Sequence, residues 1–254
     1  MSNKYWVPSL EKANNVLWII ANHPGELRLI DISKETGINK SSLYSLLNTL
    51  EDLNWVEKKR DNTYYLGTSL FNLSSLYTEG SNIVDIFLEE SSSFVEDIKE
   101  TMQISKLDET DVLYLAKKEG NASVRMTTQP GMKIPAHTTA MGKALLSDFS
   151  LETLKEIYLG KKLEARTANS VNNLEDLYEQ ILFSKKNGYI VEHEEAVEGF
   201  NCISSPIRNK KNQIIAAVSV TIPTYNWEKK HEKATQLIKE LAEKISFKAK
   251  NISD

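Results

Sequence analysis

Three helical patterns followed by two β-prone runs open the chain, and this order constrains the fold more than any other feature. Residues 9–22 carry apolar side chains at steps of three and four until a Pro-Gly pair ends the pattern. Residues 29–36 repeat the spacing, and residues 40–53 place leucines on one face after the N-cap candidate Asn39. The short turn between the second and third patterns is typical of a helix-turn-helix.

A predicted hairpin follows these helices. Its two runs, residues 55–58 and 63–66, flank the turn-forming sequence Arg-Asp-Asn. A hairpin in this position is the wing of a winged helix-turn-helix, and we assign that domain to residues 1–67.

The third helix presents a polar face once its leucines pack inward. Short hydrogen-bonding side chains can contact base edges in a major groove, while lysines and backbone amides meet phosphates. The alternative is a winged helix that contacts protein, with its polar face merely solvated. The predicted DNA-binding residues are Lys40, Ser41, Ser42, Tyr44, Ser45, Asn48, Lys58, Lys59 and Arg60.

The charge distribution favours a local DNA-binding patch over a generally basic surface. Residues 1–70 hold as many basic as acidic residues, so the net charge of −4 lies in the rest of the chain. A single cysteine, Cys202, excludes an internal disulfide and a multi-cysteine metal site, and we expect neither a metal nor a cofactor. The chain has no apolar run of membrane-spanning length and no apolar core near its N-terminus, which predicts a cytoplasmic protein without membrane contact.

A second domain follows from the pattern beyond residue 67. We predict a linker helix over residues 68–82 and an effector-binding domain over residues 83–254. Helical runs near 140–158, 173–187 and 226–250 alternate with strand-like stretches, which predicts an α+β domain on a mostly antiparallel sheet. The strand-like stretches are QISKL, VLYLAKK, ASVRMTT, YIVEH, CISSPIR and QIIAAVSVTI.

The stretch PAHTTAMGKALL at residues 135–146 is the main candidate for chemistry in this domain. It is not a Walker phosphate loop, because His137 stands at the first glycine position and Ala144 follows the lysine. Catalysis by His137 would need a nucleophile, and the sulfur candidate Cys202 lies in a strand-like run where cysteine is usually a core residue. A metal site with His193 lacks helical histidine spacing.

A helix start fits this stretch best. Pro135 bars a helix from earlier in the chain, Thr138 or Thr139 can cap, and the free amides at such an end can receive an anion. Lys143 lies further into the helix, where we expect it to face away and act structurally. A sheet face with Cys202, Ser219 and Thr221 is also small and polar, as a ligand cavity requires.

These stretches together resemble the IclR family of bacterial transcription regulators over nearly the whole chain. The resemblance rests on SLEKANNVLWIIANHPGELRLIDISKETGINKSSLYSLLNTLEDLNWV, PGMKIPAHTTAMGKALL, GYIVEHEEAVEGFNCISSPI and AAVSVTIP. It implies a winged-helix DNA-binding domain, a linker helix used in dimerisation and a GAF-like effector domain that binds a small molecule, commonly a carboxylate or aromatic metabolite. Homodimers or dimers of dimers are implied as well.

The resemblance also implies pocket positions. They are Ser123 and Met126 on one strand, Ala140 and Met141 at the helix start, Glu192 and Phe200 in a loop, and Cys202, Ser219 and Thr221 on the sheet. Helix geometry, apart from the resemblance, predicts that the amides around Thr139, Ala140 and Met141 are unpaired and can receive a carboxylate. Two departures from the family pattern bear on specificity. Many members have arginine where this chain has Ser45, and many have aspartate where it has Glu192.

We therefore expect a sequence-specific transcriptional regulator, with operator DNA and a small-molecule effector as partners. The rival hypothesis is a small-molecule enzyme that uses His137 and Cys202 in the second domain. Apolar side chains of the linker helix are the predicted contacts between subunits: Phe71, Leu73, Leu76 and Tyr77.

Overall fold

Helices and a hairpin build the N-terminal part of the chain. The computed structural model describes residues 6–79, 82–122, 124 and 126–250, and these form two compact units divided after residue 80. The N-terminal unit contains α1 (Pro8–Asn22), α2 (Leu29–Thr36), α3 (Lys40–Asp52), β1 (Val56–Lys58), β2 (Tyr64–Leu66) and α4 (Thr68–Glu79).

Local sequence signals set the ends of the first three helices. Pro8 stands in the first turn of α1, where its missing N–H costs nothing. Gly37 ends α2 with a left-handed φ of 69°, and the side chain of Asn39 caps α3 by accepting from the Ser42 amide at 2.9 Å. With β1 and β2 paired antiparallel as the wing, the predicted winged helix-turn-helix is confirmed.

The C-terminal unit combines one sheet with helices on both of its faces. Its elements are α5 (Asn82–Ile98), β3 (Thr101–Asp108), β4 (Asp111–Lys118), β5 (Lys133–Pro135), α6 (Ala140–Leu145), α7 (Leu151–Ile157), α8 (Leu174–Asn187), β6 (Ile190–His193), β7 (Phe200–Arg208), β8 (Ile214–Pro223) and α9 (Trp227–Lys250).

The sheet is antiparallel throughout, with strand order β5-β4-β3-β8-β7-β6, which confirms the predicted α+β class. Side chains alternate between the faces of each strand. Along β8, Val218, Val220 and Ile222 join the core formed with α5 and α9. Ala217, Ser219 and Thr221 point to the opposite face, where α6 contacts the sheet. The candidate site lies on this second face.

The structure corrects two predicted elements. The helical run near 140–158 is two helices, because α6 ends at Leu145 and the Ser150 side chain caps α7 by accepting from the Thr153 amide at 3.2 Å. The stretch ASVRMTT is not a strand in any of its described residues, and the short strand β5 follows it instead. Among the described helices, none has the length and apolarity needed to cross a membrane.

Candidate functional site

The polar face of α3 is exposed to solvent. Its leucines, Leu43, Leu47 and Leu50, are buried in the core of the N-terminal unit. The predicted DNA-binding residues of this helix are all exposed: Lys40, Ser41, Ser42, Tyr44, Ser45 and Asn48. This helix therefore presents short hydrogen-bonding groups and one aromatic ring on a single accessible surface.

The basic residues of the wing differ in their surroundings. Lys58, Lys59 and Arg60 are exposed, as predicted. The ammonium of Lys59 forms an ion pair with Glu57 at 2.5 Å and lies 5.5 Å above the centre of the Tyr65 ring. Because the Lys59 ammonium already has these two partners within the wing, Lys58 and Arg60 are the better candidates for phosphate contacts.

A band of polar side chains crosses the second face of the large sheet. In one row across the strands, Thr101 pairs with Thr221, Thr221 with Cys202, and Cys202 with Glu192. In the next row, Gln103 pairs with Ser219 and Ser219 with Ser204. All of these side chains are buried except Cys202, which is partly exposed. Burying so many polar groups is costly unless they are hydrogen-bonded or contact a ligand.

Cys202 and Glu192 lie at the centre of this band. The Cys202 sulfur is 3.4 Å from the Thr221 hydroxyl, and burial raises the pKa of its thiol. Burial likewise raises the pKa of Glu192 to about 7, although its Oε2 accepts from the Glu195 amide at 2.7 Å. Both groups are therefore pushed toward their neutral forms by the low polarity around them.

A buried ion pair connects α6 to the loop after β6. Lys143 is fully buried, and its ammonium contacts the Glu195 carboxylate. The other carboxylate oxygen of Glu195 accepts from the Val171 amide at 3.3 Å, and its carbonyl accepts from the Ser170 hydroxyl at 2.6 Å. Lys143 has a structural partner, as expected, but it does not face away, because it lies close enough for its charge to lower the pKa of Glu192.

The start of α6 has the predicted cap. Thr139 is the N-cap, and its hydroxyl accepts from the Gly142 amide at 2.9 Å. The Thr139 amide donates to the Ala136 carbonyl at 3.3 Å, so the prediction that it is available for an anion is wrong. Helix geometry leaves the amides of Ala140 and Met141 without an intrahelical acceptor.

The remaining predicted pocket residues fall in different settings. Glu192 and Phe200 lie in β6 and β7 rather than in a loop, because the hairpin turn is shorter than the acidic sequence suggested. Met126 is half-buried outside any strand, and Ser123 lies outside the described residues. Met141 contacts the sheet through its sulfur, which accepts from the Ser105 hydroxyl at 3.1 Å.

The structure assigns other roles to the residues of the enzyme hypothesis. His137 is buried, with its Nε2 3.0 Å from the Glu164 carbonyl oxygen and its ring packed edge-on against Tyr158. A thiol whose pKa is raised, as in Cys202, is a poor nucleophile. In the described parts of the chain, no three potential His, Cys, Asp or Glu ligands come together as a metal site.

Sequence reasoning missed half of the polar band. Thr101, Gln103 and Ser105 alternate with the buried Met102 and Ile104 along β3, so the alternation was present in the sequence. The Thr128 hydroxyl donates to Gln103 at 3.2 Å and extends the band into the segment before β5. The partnership of Lys143 with Glu195 spans 52 positions and has no local signal.

The fold and the site together define a class of protein: a DNA-binding regulator with a separate effector domain. Two protein-family models match the chain. The family described as bacterial transcriptional regulator IclR C-terminal matches residues 76–247, and the IclR helix-turn-helix domain family matches residues 9–60. The chain belongs to the IclR family, whose named members are transcriptional regulators and repressors rather than enzymes.

Relatives and solved structures agree over most of the chain. The transcriptional regulator KdgR of Dickeya chrysanthemi is 28% identical over 90% of this chain and 73% of its own length. The crystal structure of Thermotoga maritima IclR is 29% identical, with a TM-score of 0.80 over 95% of this chain and 98% of that one. An IclR homologue of Microbacterium hydrocarbonoxydans, solved in complex with 4-hydroxybenzoate, has a TM-score of 0.82 at 21% identity over 94% of this chain and 98% of that one, and shows the fold alone.

Proposed function

We propose that α3 and the wing bind operator DNA, and that a small carboxylate metabolite bound on the polar sheet face controls that binding. The buried polar band around Cys202, Ser219 and Thr221 carries the effector half of this proposal, since a core has no need of so many small polar side chains. The amides of Ala140 and Met141, at the start of the helix that packs on this face, are the proposed donors to the carboxylate. The Microbacterium homologue was solved with an acid of this class.

The DNA half of the proposal predicts separate effects for α3 and the wing. An operator is first selected from a random DNA library with the wild-type protein. Tyr44→Ala or Asn48→Ala should weaken binding to this operator by about 1 to 3 kcal/mol and relax the sequence preference. Lys58→Ala should weaken binding to all sequences and reduce its salt dependence. Fluorescence anisotropy at several salt concentrations measures both effects.

Asp52→Ala, at the far end of α3, is the matched control for these variants and should leave affinity for the selected operator unchanged or slightly raised. If Tyr44→Ala and Asn48→Ala both bound the operator as the wild type does, α3 would not be the recognition helix.

The effector half predicts a thermal shift with small acids. A bound acid at about a hundred times its dissociation constant stabilises the native state by roughly 2.7 kcal/mol. Screening 2-oxo, hydroxy and aromatic acids, including pyruvate and 4-hydroxybenzoate, should find at least one that shifts the wild type but not Ser219→Leu or Thr221→Val. Thr221→Val is nearly isosteric, so it separates loss of a hydroxyl from a packing defect. A shift that survives both variants would place the effector elsewhere.

We also propose that the protein is at least a dimer, because one winged helix covers one half-site and symmetric operators are bound through protein symmetry. The exposed apolar side chains of α4 support a subunit contact there: Phe71, Leu73 and Leu76. The fourth predicted contact, Tyr77, has a side chain outside the part of the chain that the structure describes. Sedimentation should show a dimer or larger species at micromolar concentration. A purely monomeric wild type would contradict this.

A further inference from the structure

Two carboxylates and one ammonium are buried together beside the polar sheet face. Glu192, Glu195 and Lys143 are 1%, 5% and 0% exposed. The Lys143 ammonium forms an ion pair with the Glu195 carboxylate, which also accepts a hydrogen bond from the Val171 amide. Glu192 has two hydrogen-bond donors, the Glu195 amide and the Cys202 thiol, instead of a charge partner of its own. With both carboxylates ionised, the cluster carries one unpaired negative charge in a region of low polarity, which is costly.

The groups around Glu192 do not neutralise this charge. Cys202 from β7 and Tyr114 from β4 have pKa values raised by burial, so they stay uncharged near neutral pH. Burial lowers the pKa of His137, which precedes α6, and keeps this ring neutral. Arg166, from the segment before α8, is exposed and donates to the Ala196 carbonyl at 3.1 Å.

We propose that an anionic effector enters this site together with one proton, which Glu192 holds while the effector is bound. The inference rests on the proposed function, because it assigns the charge state of the same site. The proton comes from solvent and forms an O–H bond on Oε1, since Oε2 already accepts from the Glu195 amide. No bond to the effector is made or broken, and the O–H can donate a hydrogen bond to an effector oxygen.

Proton uptake keeps the charge of the site constant. A monoanion that joined the ionised cluster would raise the unpaired charge from −1 to −2, whereas a monoanion with a proton leaves it at −1. The pKa of Glu192 before binding, about 7, means that the site is half-protonated near neutral pH. Above that pH, binding must include protonation, so affinity is expected to fall about tenfold between pH 6 and pH 8.

Isothermal titration with pyruvate and with 4-hydroxybenzoate tests this coupling, because both carboxylates stay ionised from pH 6 to pH 8. Titrations at pH 8 in phosphate and in Tris, whose ionisation enthalpies differ, should show uptake of about one proton per bound acid. In Glu192→Gln, a neutral mimic of the protonated form, proton uptake should vanish and affinity should be the same at pH 6 and pH 8. Glu198→Gln, at an exposed position in the turn between β6 and β7, should retain the wild-type coupling.

The unliganded protein gives a second readout. Glu192 has a raised pKa in the folded state, so its protonated form stabilises the fold, and this contribution is lost as pH rises through about 7. The melting temperature of the wild type relative to Glu192→Gln should therefore decrease between pH 5 and pH 8. A difference that does not change with pH would overturn the proposal whether or not an acid binds.

The remaining outcomes separate this inference from the proposed function. If an acid bound the wild type without proton uptake and with the same affinity at pH 6 and pH 8, the coupling would be wrong and the carboxylate effector would stand. If neither acid bound, nor any acid of the thermal screen, the effector would not be an anion of this class, and both the coupling and the effector half of the proposed function would fall.

Discussion

Lys143→Met is expected to lower the free energy of unfolding of the C-terminal domain by about 3 to 5 kcal/mol, the cost of leaving a buried charge without its partner. The substitution preserves side-chain bulk, but it leaves the Glu195 carboxylate buried beside Glu192. Urea unfolding of the wild type and the variant measures this loss.

Two comparison variants isolate the buried pair in this experiment. Lys155→Met removes the ammonium of an exposed pair with Glu175, 3.9 Å apart, and should cost less than about 1 kcal/mol. The double change of Lys143→Met with Glu195→Gln removes both charges and should recover much of the lost stability. A single Lys143→Met variant as stable as the wild type would contradict the pairing.

Gly142→Ala is expected to destabilise the protein by about 3 kcal/mol, although alanine is the better helix former. A Cβ at Gly142 would stand 2.1 Å from the Ala136 carbonyl oxygen and 2.5 Å from the carbonyl carbon. These are backbone atoms, so no rotamer change relieves the clash. The 3-10 turn that precedes α6, Ala136–Thr138, must therefore move. The acid-induced thermal shift should weaken as well, because the turn positions the amides of Ala140 and Met141.

Gly160→Ala is the matched control for the glycine experiment. Gly160 has a φ of 73° but open space around its missing Cβ, so alanine there carries only the backbone penalty of about 1 to 2 kcal/mol. The sign of the effect at Gly142 is itself informative, since the higher helix propensity of alanine alone would make the substitution stabilising. A Gly142→Ala variant more stable than the wild type would mean that the turn and α6 do not approach so closely.

Features with a local physical cause were predictable from the sequence. Asn39 caps α3, Gly37 ends α2 and Thr139 caps α6, because side-chain capping and left-handed glycine act within a few residues. Alternation along β8 placed Ser219 and Thr221 on one face for the same reason.

Features that depend on long-range contacts were not predictable in this way. The ion pair of Lys143 with Glu195 and the placement of Gln103 beside Ser219 depend on chain segments that only the folded sheet brings together. The split of the 140–158 run into two helices depends on a cap at Ser150 that the apolar spacing masked. The structure therefore adds the buried charges on which the proposed proton coupling depends.

Control of operator binding by an acid on the polar sheet face can be measured directly by fluorescence anisotropy of the selected operator. The wild type and Ser219→Leu are first shown to bind DNA equally without acid, and both are then titrated with the acid that gives the largest thermal shift. This acid should change wild-type operator affinity at least about fivefold, the lower range of allosteric coupling, and leave the affinity of Ser219→Leu unchanged. An acid that shifts the wild-type melting temperature yet leaves its operator affinity unaltered would show that this site does not control DNA binding.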